Sequence, residues 1–147
     1  MKFSQLTTTA LLISCSLPLG AQQPVPSDKP TPASPQAPAT APEDEQDLSK
    51  MELDLHLFEV YTRGYLEAAN ALTDTEIAML PMGALAVTLE LATRFLKDYL
   101  DGDLYFKTTY PEHNLVRART QMKLARDMQQ KWEDMNRIVA KVAAQIR

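Results

Sequence analysis

One cysteine, Cys15, stands near the start of the 147 residues and none follows it. The rest of the chain can therefore build no disulfide framework, thiolate zinc cluster or thiol nucleophile. Glycine is almost as scarce. Gly20, Gly64, Gly83 and Gly102 never cluster, which excludes a glycine-rich loop wrapped around phosphates. The only histidines, His56 and His113, are far apart and lack a second ligand at metal spacing, so they predict no metal site. No motif sets a base beside a serine or threonine, so no hydrolase is read. A formal net charge of −4 argues against nucleic acid or an acidic membrane as partner.

What is present begins with a leader. Lys2 is followed by an apolar stretch containing Leu6, Ala10, Leu11, Leu12 and Ile13, and then by small residues, the pattern of an export signal over residues 1–21. The stretch is too short and too polar for a permanent transmembrane helix. Two processing sites compete. Leu19-Gly20-Ala21 suits signal-peptidase cleavage before Gln22. Leu12-Ile13-Ser14-Cys15 resembles a lipobox, in which Cys15 would carry a diacylglyceryl group and anchor the chain to a membrane surface. Soluble export, periplasmic or secreted, is the expectation. Lipid anchoring through Cys15 is the alternative, and a cytoplasmic location follows if the leader does not function.

Residues 22–42 carry prolines at 24, 26, 30, 32, 35, 38 and 42, with nothing larger than Val25 to bury. Proline removes backbone donors and drives its neighbours toward extended conformations, so this stretch reads as a disordered spacer of polyproline character.

From residue 43 to 147 the apolar period is helical throughout, which predicts a small all-α bundle of about four helices. Ser49-Lys50-Met51-Glu52 reads as a capping box, followed by the stripe Met51, Leu55, Phe58, Tyr65, Ala69, Leu72. Thr73-Asp74-Thr75-Glu76 is a second box, opening a short helix that Pro81 is expected to end or kink. The third helix, residues 82–100, has apolar positions on nearly every side and is expected to be central. Asp101-Gly102 stops it. An aromatic loop holds Tyr105, Phe106 and Tyr110, and Asn114 is expected to cap one long final helix of about 45 Å. Asp98, Asp101 and Asp103 read as solvated charge, lacking the loop pattern of a calcium site. Residues 43–103 are acidic, whereas the last helix carries Arg117, Arg119, Lys123, Arg126, Lys131, Arg137, Lys141 and Arg147. That asymmetry predicts a basic helix packed beside acidic ones; a basic docking stripe is the other reading.

The stretch Thr88-Leu89-Glu90, Arg94-Phe95-Leu96-Lys97-Asp98-Tyr99-Leu100-Asp101-Gly102-Asp103-Leu104-Tyr105-Phe106-Lys107, His113-Asn114-Leu115 and Arg117-Ala118-Arg119-Thr120-Gln121 resembles the last helical part of the aminoglycoside phosphotransferase and N-acetylhexosamine kinase family. The resemblance runs from Glu43-Asp44-Glu45-Gln46-Asp47 through Leu55-His56-Leu57-Phe58 and the Leu80-Pro81-Met82-Gly83 corner to about Trp132-Glu133-Asp134-Met135. It covers none of the leader or spacer. It implies the distal helical lobe of a kinase-like fold, one wall of the sugar-acceptor pocket, with Arg94 and Tyr105 where the family contacts the sugar. Phosphoryl transfer needs a phosphate-covering loop, a phosphate-binding lysine, a catalytic aspartate and magnesium ligands, and none of these motifs is in the chain. No cofactor is therefore expected; ATP and magnesium would enter only if a separate catalytic half completed the site. The expectation is a non-catalytic exported module with residual sugar or protein binding, and the alternative is a fragment of a sugar-1-kinase. An orphaned lobe would also leave apolar helix faces bare and self-associate.

Overall fold

The computed structural model of the chain describes residues 38–146; the leader, Cys15 and most of the Pro-rich spacer lie outside them. These residues form an all-α unit in which a strap of chain (residues 38–54), containing one 3-10 turn at Leu48–Lys50, leads into five helices. They are α1 (Leu55–Ala68), α2 (Asp74–Ala78), α3 (Leu80–Leu100), α4 (His113–Gln130) and α5 (Trp132–Ile146). None is long and apolar enough to cross a membrane.

The strap doubles back on itself. Ala39 pairs antiparallel with Leu53, the Thr40 N–H donates to the Glu52 carbonyl at 3.0 Å, and the Asp54 N–H donates to the Pro38 carbonyl at 2.8 Å. Residues 38–42 thus belong to the folded unit, although their composition places them with the spacer. Met51 and Leu53 are fully buried beneath this turn. The capping box expected at Ser49 does not form. Asp47 takes the capping role, accepting from both the backbone N–H and the hydroxyl of Ser49. α1 starts later, behind Asp54, whose carboxylate accepts the N–H groups of His56 and Leu57. Met51 and Leu72 therefore lie outside the helix to which periodicity assigned them.

The box at Thr73 forms as read, with the Glu76 side chain returning to the Thr73 N–H at 2.7 Å. Pro81 lies just past a break in the helix: α2 stops at Ala78, and Met79 alone separates it from α3. The proline sits in the first turn of α3, where its missing N–H would have had no helical partner, and so begins that helix. Asp101 and Gly102 close α3, with Gly102 at φ 92°.

Two departures reshape the bundle. The long final helix breaks at Lys131, and beyond that single residue α5 packs on α1 and, less extensively, on α2 and α3. No proline or glycine marks the break. The Lys131 ammonium folds back onto Asp127 at 2.8 Å and onto the Leu53 carbonyl at 2.9 Å, and Met135, Val139 and Val142 of α5 are buried in the common core. Helical bonds persist on both sides of the corner, from the Lys131 N–H to the Asp127 carbonyl at 2.9 Å and from the Met135 N–H to the Lys131 carbonyl at 3.0 Å, so burying the α5 stripe costs little backbone hydrogen bonding. α3, in turn, is not enclosed on all sides. It packs mainly on α4, burying Leu85, Thr88, Ala92, Phe95 and Asp98, while Val87, Leu96 and Leu100 stay exposed.

Of the two readings of the basic final helix, the geometry favours packing. Arg117 meets Glu43 at 3.2 Å, the Lys123 ammonium donates to the Met51 carbonyl at 2.9 Å, and Lys141 meets Glu59 at 2.8 Å. Those groups hold the acidic strap and α1 in place.

Candidate functional site

Asp98 organises the end of α3. It is buried, not solvated as its sequence context suggested. Its Oδ1 accepts the N–H groups of Leu104 (3.0 Å) and Tyr105 (2.8 Å), and its Oδ2 accepts the Phe106 N–H (2.9 Å) and the Asn114 amide (2.8 Å). Asn114 is not the cap of α4 either. It is fully buried one residue inside that helix, and its amide bridges Asp98 and Asp103. The helix begins behind Glu112, which has φ 65° and no capping side chain. Burial by itself would raise the Asp98 carboxyl, but the three backbone N–H groups outweigh it and hold Asp98 below the usual carboxylate range. Four donors converging on one carboxylate fix the backbone of residues 104–106 against the helix end.

That backbone presents the aromatic loop. Phe106 packs on Phe95, with centroids 4.7 Å apart, and Tyr105 stands edge-on to Phe106 at 4.8 Å. The Arg94 guanidinium lies 5.6 Å from the Phe106 centroid and 5.8 Å from that of Tyr105, within cation–π range of both. Arg94 also approaches Glu90, one turn back, at 3.7 Å. Both residues singled out by resemblance are therefore brought together on one face. Tyr105 is 74% exposed, and about half of the Arg94 side chain remains in solvent. The face joins a planar fork of donors to an aromatic surface, a pairing suited to hydroxyls, an acetamide carbonyl and the apolar side of a sugar ring. Cys15, the candidate lipid attachment point, lies outside the described residues.

A cavity of about 490 Å³ lies elsewhere, along the first half of α3. α1 and α3 do not pack against each other. They stand apart over a floor of Leu124 and Met128 from α4, and residues 38–43 close one end. Phe58, Tyr61, Thr62 and Tyr65 form the α1 wall; Leu80, Gly83 and Val87 belong to the α3 wall. Tyr61 is 59% and Val87 64% exposed. Neither Arg94 nor Tyr105 lines this groove. Sequence reasoning placed Tyr65 on the inner stripe of α1 with Phe58 and so missed it. The signal was available in the second apolar series Leu57, Val60, Tyr61, Tyr65.

Searched against models of known protein families, the chain matches none. Among the described residues, no group of three or more His, Cys, Asp or Glu side chains could hold a metal ion. His113 is buried and bonded locally: its Nδ1 accepts the Thr109 N–H at 3.1 Å and its ring stacks on Tyr110 at 4.3 Å.

Proposed function

We propose that the chain is a non-catalytic, exported helical module related to the acceptor-binding lobe of a sugar phosphotransferase, and that its exposed Arg94 and Tyr105 face binds N-acetylhexosamines weakly. The observation that carries this reading is the Arg94 guanidinium set over the rings of Tyr105 and Phe106, on backbone that Asp98 holds still. A guanidinium fixed by ring contacts loses less freedom when it bonds a hydroxyl or carbonyl. The face is open, however, and encloses little of a ligand. An affinity of about 1 mM, near −4 kcal/mol, is what such a surface supports.

The test is titration of the full chain with N-acetylglucosamine and N-acetylgalactosamine, followed by NMR or calorimetry. Saturable binding with a Kd of about 1 mM is expected. Arg94→Ala and Tyr105→Ala should each abolish it without lowering the melting temperature by more than about 2 °C, because both side chains sit outside the core. No response up to tens of millimolar sugar would overturn sugar binding. Heat from ATP with magnesium would instead contradict the absence of phosphate-binding and magnesium-binding motifs on which the non-catalytic reading rests.

A further inference from the structure

We infer that the outer face of α1, with the groove beside it, receives a second copy of the chain, the two α1 helices packing antiparallel about a two-fold axis between Tyr61 and Gly64. α1 carries two apolar stripes. Phe58, Thr62 and Leu66 face the core, whereas Leu57, Val60, Tyr61, Gly64, Tyr65 and Ala68 form a second series at helical spacing, all of them exposed. Between Leu57 and Tyr65 the charged side chains are Glu59 and Arg63, and both are turned to α5, toward Lys141 and Gln145. A helix that needed only to cover the core would spend its outer face on polar residues.

The second stripe is complementary to itself. Antiparallel about the stated axis, Tyr61 meets the partner's Gly64 and Leu57 meets the partner's Ala68 along the centre of the stripe, with Val60 and Tyr65 on its two flanks. A ring therefore faces a position without a side chain. A Cβ built at Gly64 would find nothing within 4 Å, so the approach there is open. Such an isologous contact closes at two copies. The five exposed large side chains Leu57, Val60, Tyr61, Tyr65 and Val87 offer about 500 Å² of apolar surface, at roughly half of some 200 Å² each. That is at the upper end of what a monomer leaves bare. With Gly64 and Ala68 added, it comes to roughly 600 Å² per partner, the lower end of the range for specific interfaces. The contact is distant in sequence from the sugar face, and neither proposal depends on the other.

Sedimentation equilibrium of the full chain, from micromolar to submillimolar concentration, should show a monomer–dimer equilibrium. Tyr61→Glu and Gly64→Lys alone should each weaken it at least a hundredfold while helical circular dichroism is unchanged. Mixed together, the two variants should associate again, because the new charges face each other in the stated register. Leu104→Lys, an exposed apolar residue of the distant loop, should dimerise as the unaltered chain does. A single copy at every concentration would overturn the inference. So would a mixture that stays monomeric, or loss of dimer in Leu104→Lys.

Discussion

At its C-terminal end α3 meets α4 through a loop stitched by a buried carboxylate, whereas along its N-terminal half α3 stands away from α1 across an apolar trough. The first region is over-determined: Asp98 alone satisfies three backbone donors and an amide. The second is under-filled, with Tyr61 and Val87 half or more in solvent. The difference shows where this fold keeps its stability and where it keeps surface for something else. Polar groups inside demand partners, and once those are found the segment has one conformation. Apolar groups facing water demand only cover, which a second molecule can supply.

The largest effect should follow from breaking the stitched end. Asp98→Ala orphans the N–H groups of residues 104–106 and the Asn114 amide together, and the melting temperature should fall by on the order of 10 °C. Val87→Ala, in the trough, should change stability by no more than about 0.5 kcal/mol at concentrations where the chain is monomeric. Calorimetry of both variants reads the contrast directly. Equal losses would mean that the trough is as consequential for folding as the loop.

Next is Asp127, the other buried carboxylate among the described residues, which accepts the Leu53 N–H at 2.7 Å and the Lys131 ammonium at 2.8 Å. It ties the strap to the corner between α4 and α5. Asp127→Ala leaves the Leu53 amide without its acceptor and leaves the Lys131 ammonium only the Leu53 carbonyl and Glu52, at about 2–3 kcal/mol by denaturant unfolding. Burial opposes ionisation of Asp127, but the Lys131 ammonium and the Leu53 N–H prevail and hold its carboxyl below the usual range, as the loop amides do for Asp98. A carboxyl whose folded pKa is depressed contributes stability that is complete above its unfolded pKa and is lost as the pH falls through the folded value. Stability should therefore hold steady down to about pH 4 and decline below it. Asp127→Asn should flatten part of that decline, as urea unfolding at pH 6 and pH 3 would show.

How much of this was readable from the sequence divides along the same line. Local chemistry was legible: Thr73 and Glu76 form their box, Gly102 takes the left-handed position that ends α3, and the helical period gave an all-α unit. Features decided by distant partners were not. Asp98, Asp101 and Asp103 look alike as letters, and only the return of the loop over α3 selects Asp98 for burial. Ser49 lost its capping role because Asp47, a stronger acceptor two residues earlier, captured its N–H and hydroxyl. The corner at Lys131 carries no breaker residue, since its cause lies in core packing against α1. At the candidate site, resemblance names Arg94 and Tyr105, but the stacking of the guanidinium on the Tyr105 and Phe106 rings depends on the loop folding back over α3. The trough went unread because Tyr65 was assigned inward along with Phe58, seven positions away. Thr62 and Leu66 fill that face instead, leaving Tyr65 at its rim.

The smallest effect is expected at Gly64, and its sign should depend on concentration. In a single copy nothing stands within 4 Å of a Cβ placed there, and the position is in the body of α1. Gly64→Ala should then stabilise the helix by up to about 1 kcal/mol, because alanine has less backbone freedom to lose on folding. Where two copies meet, the same methyl group stands against the partner's Tyr61 and holds the helices apart. The melting temperature of Gly64→Ala should exceed that of the unaltered chain by a few degrees in dilute solution, and the margin should shrink or reverse at high concentration. A margin that stays constant over a thousandfold range of concentration would show that α1 keeps its outer stripe in water, and the trough would then need another explanation than cover by its own kind.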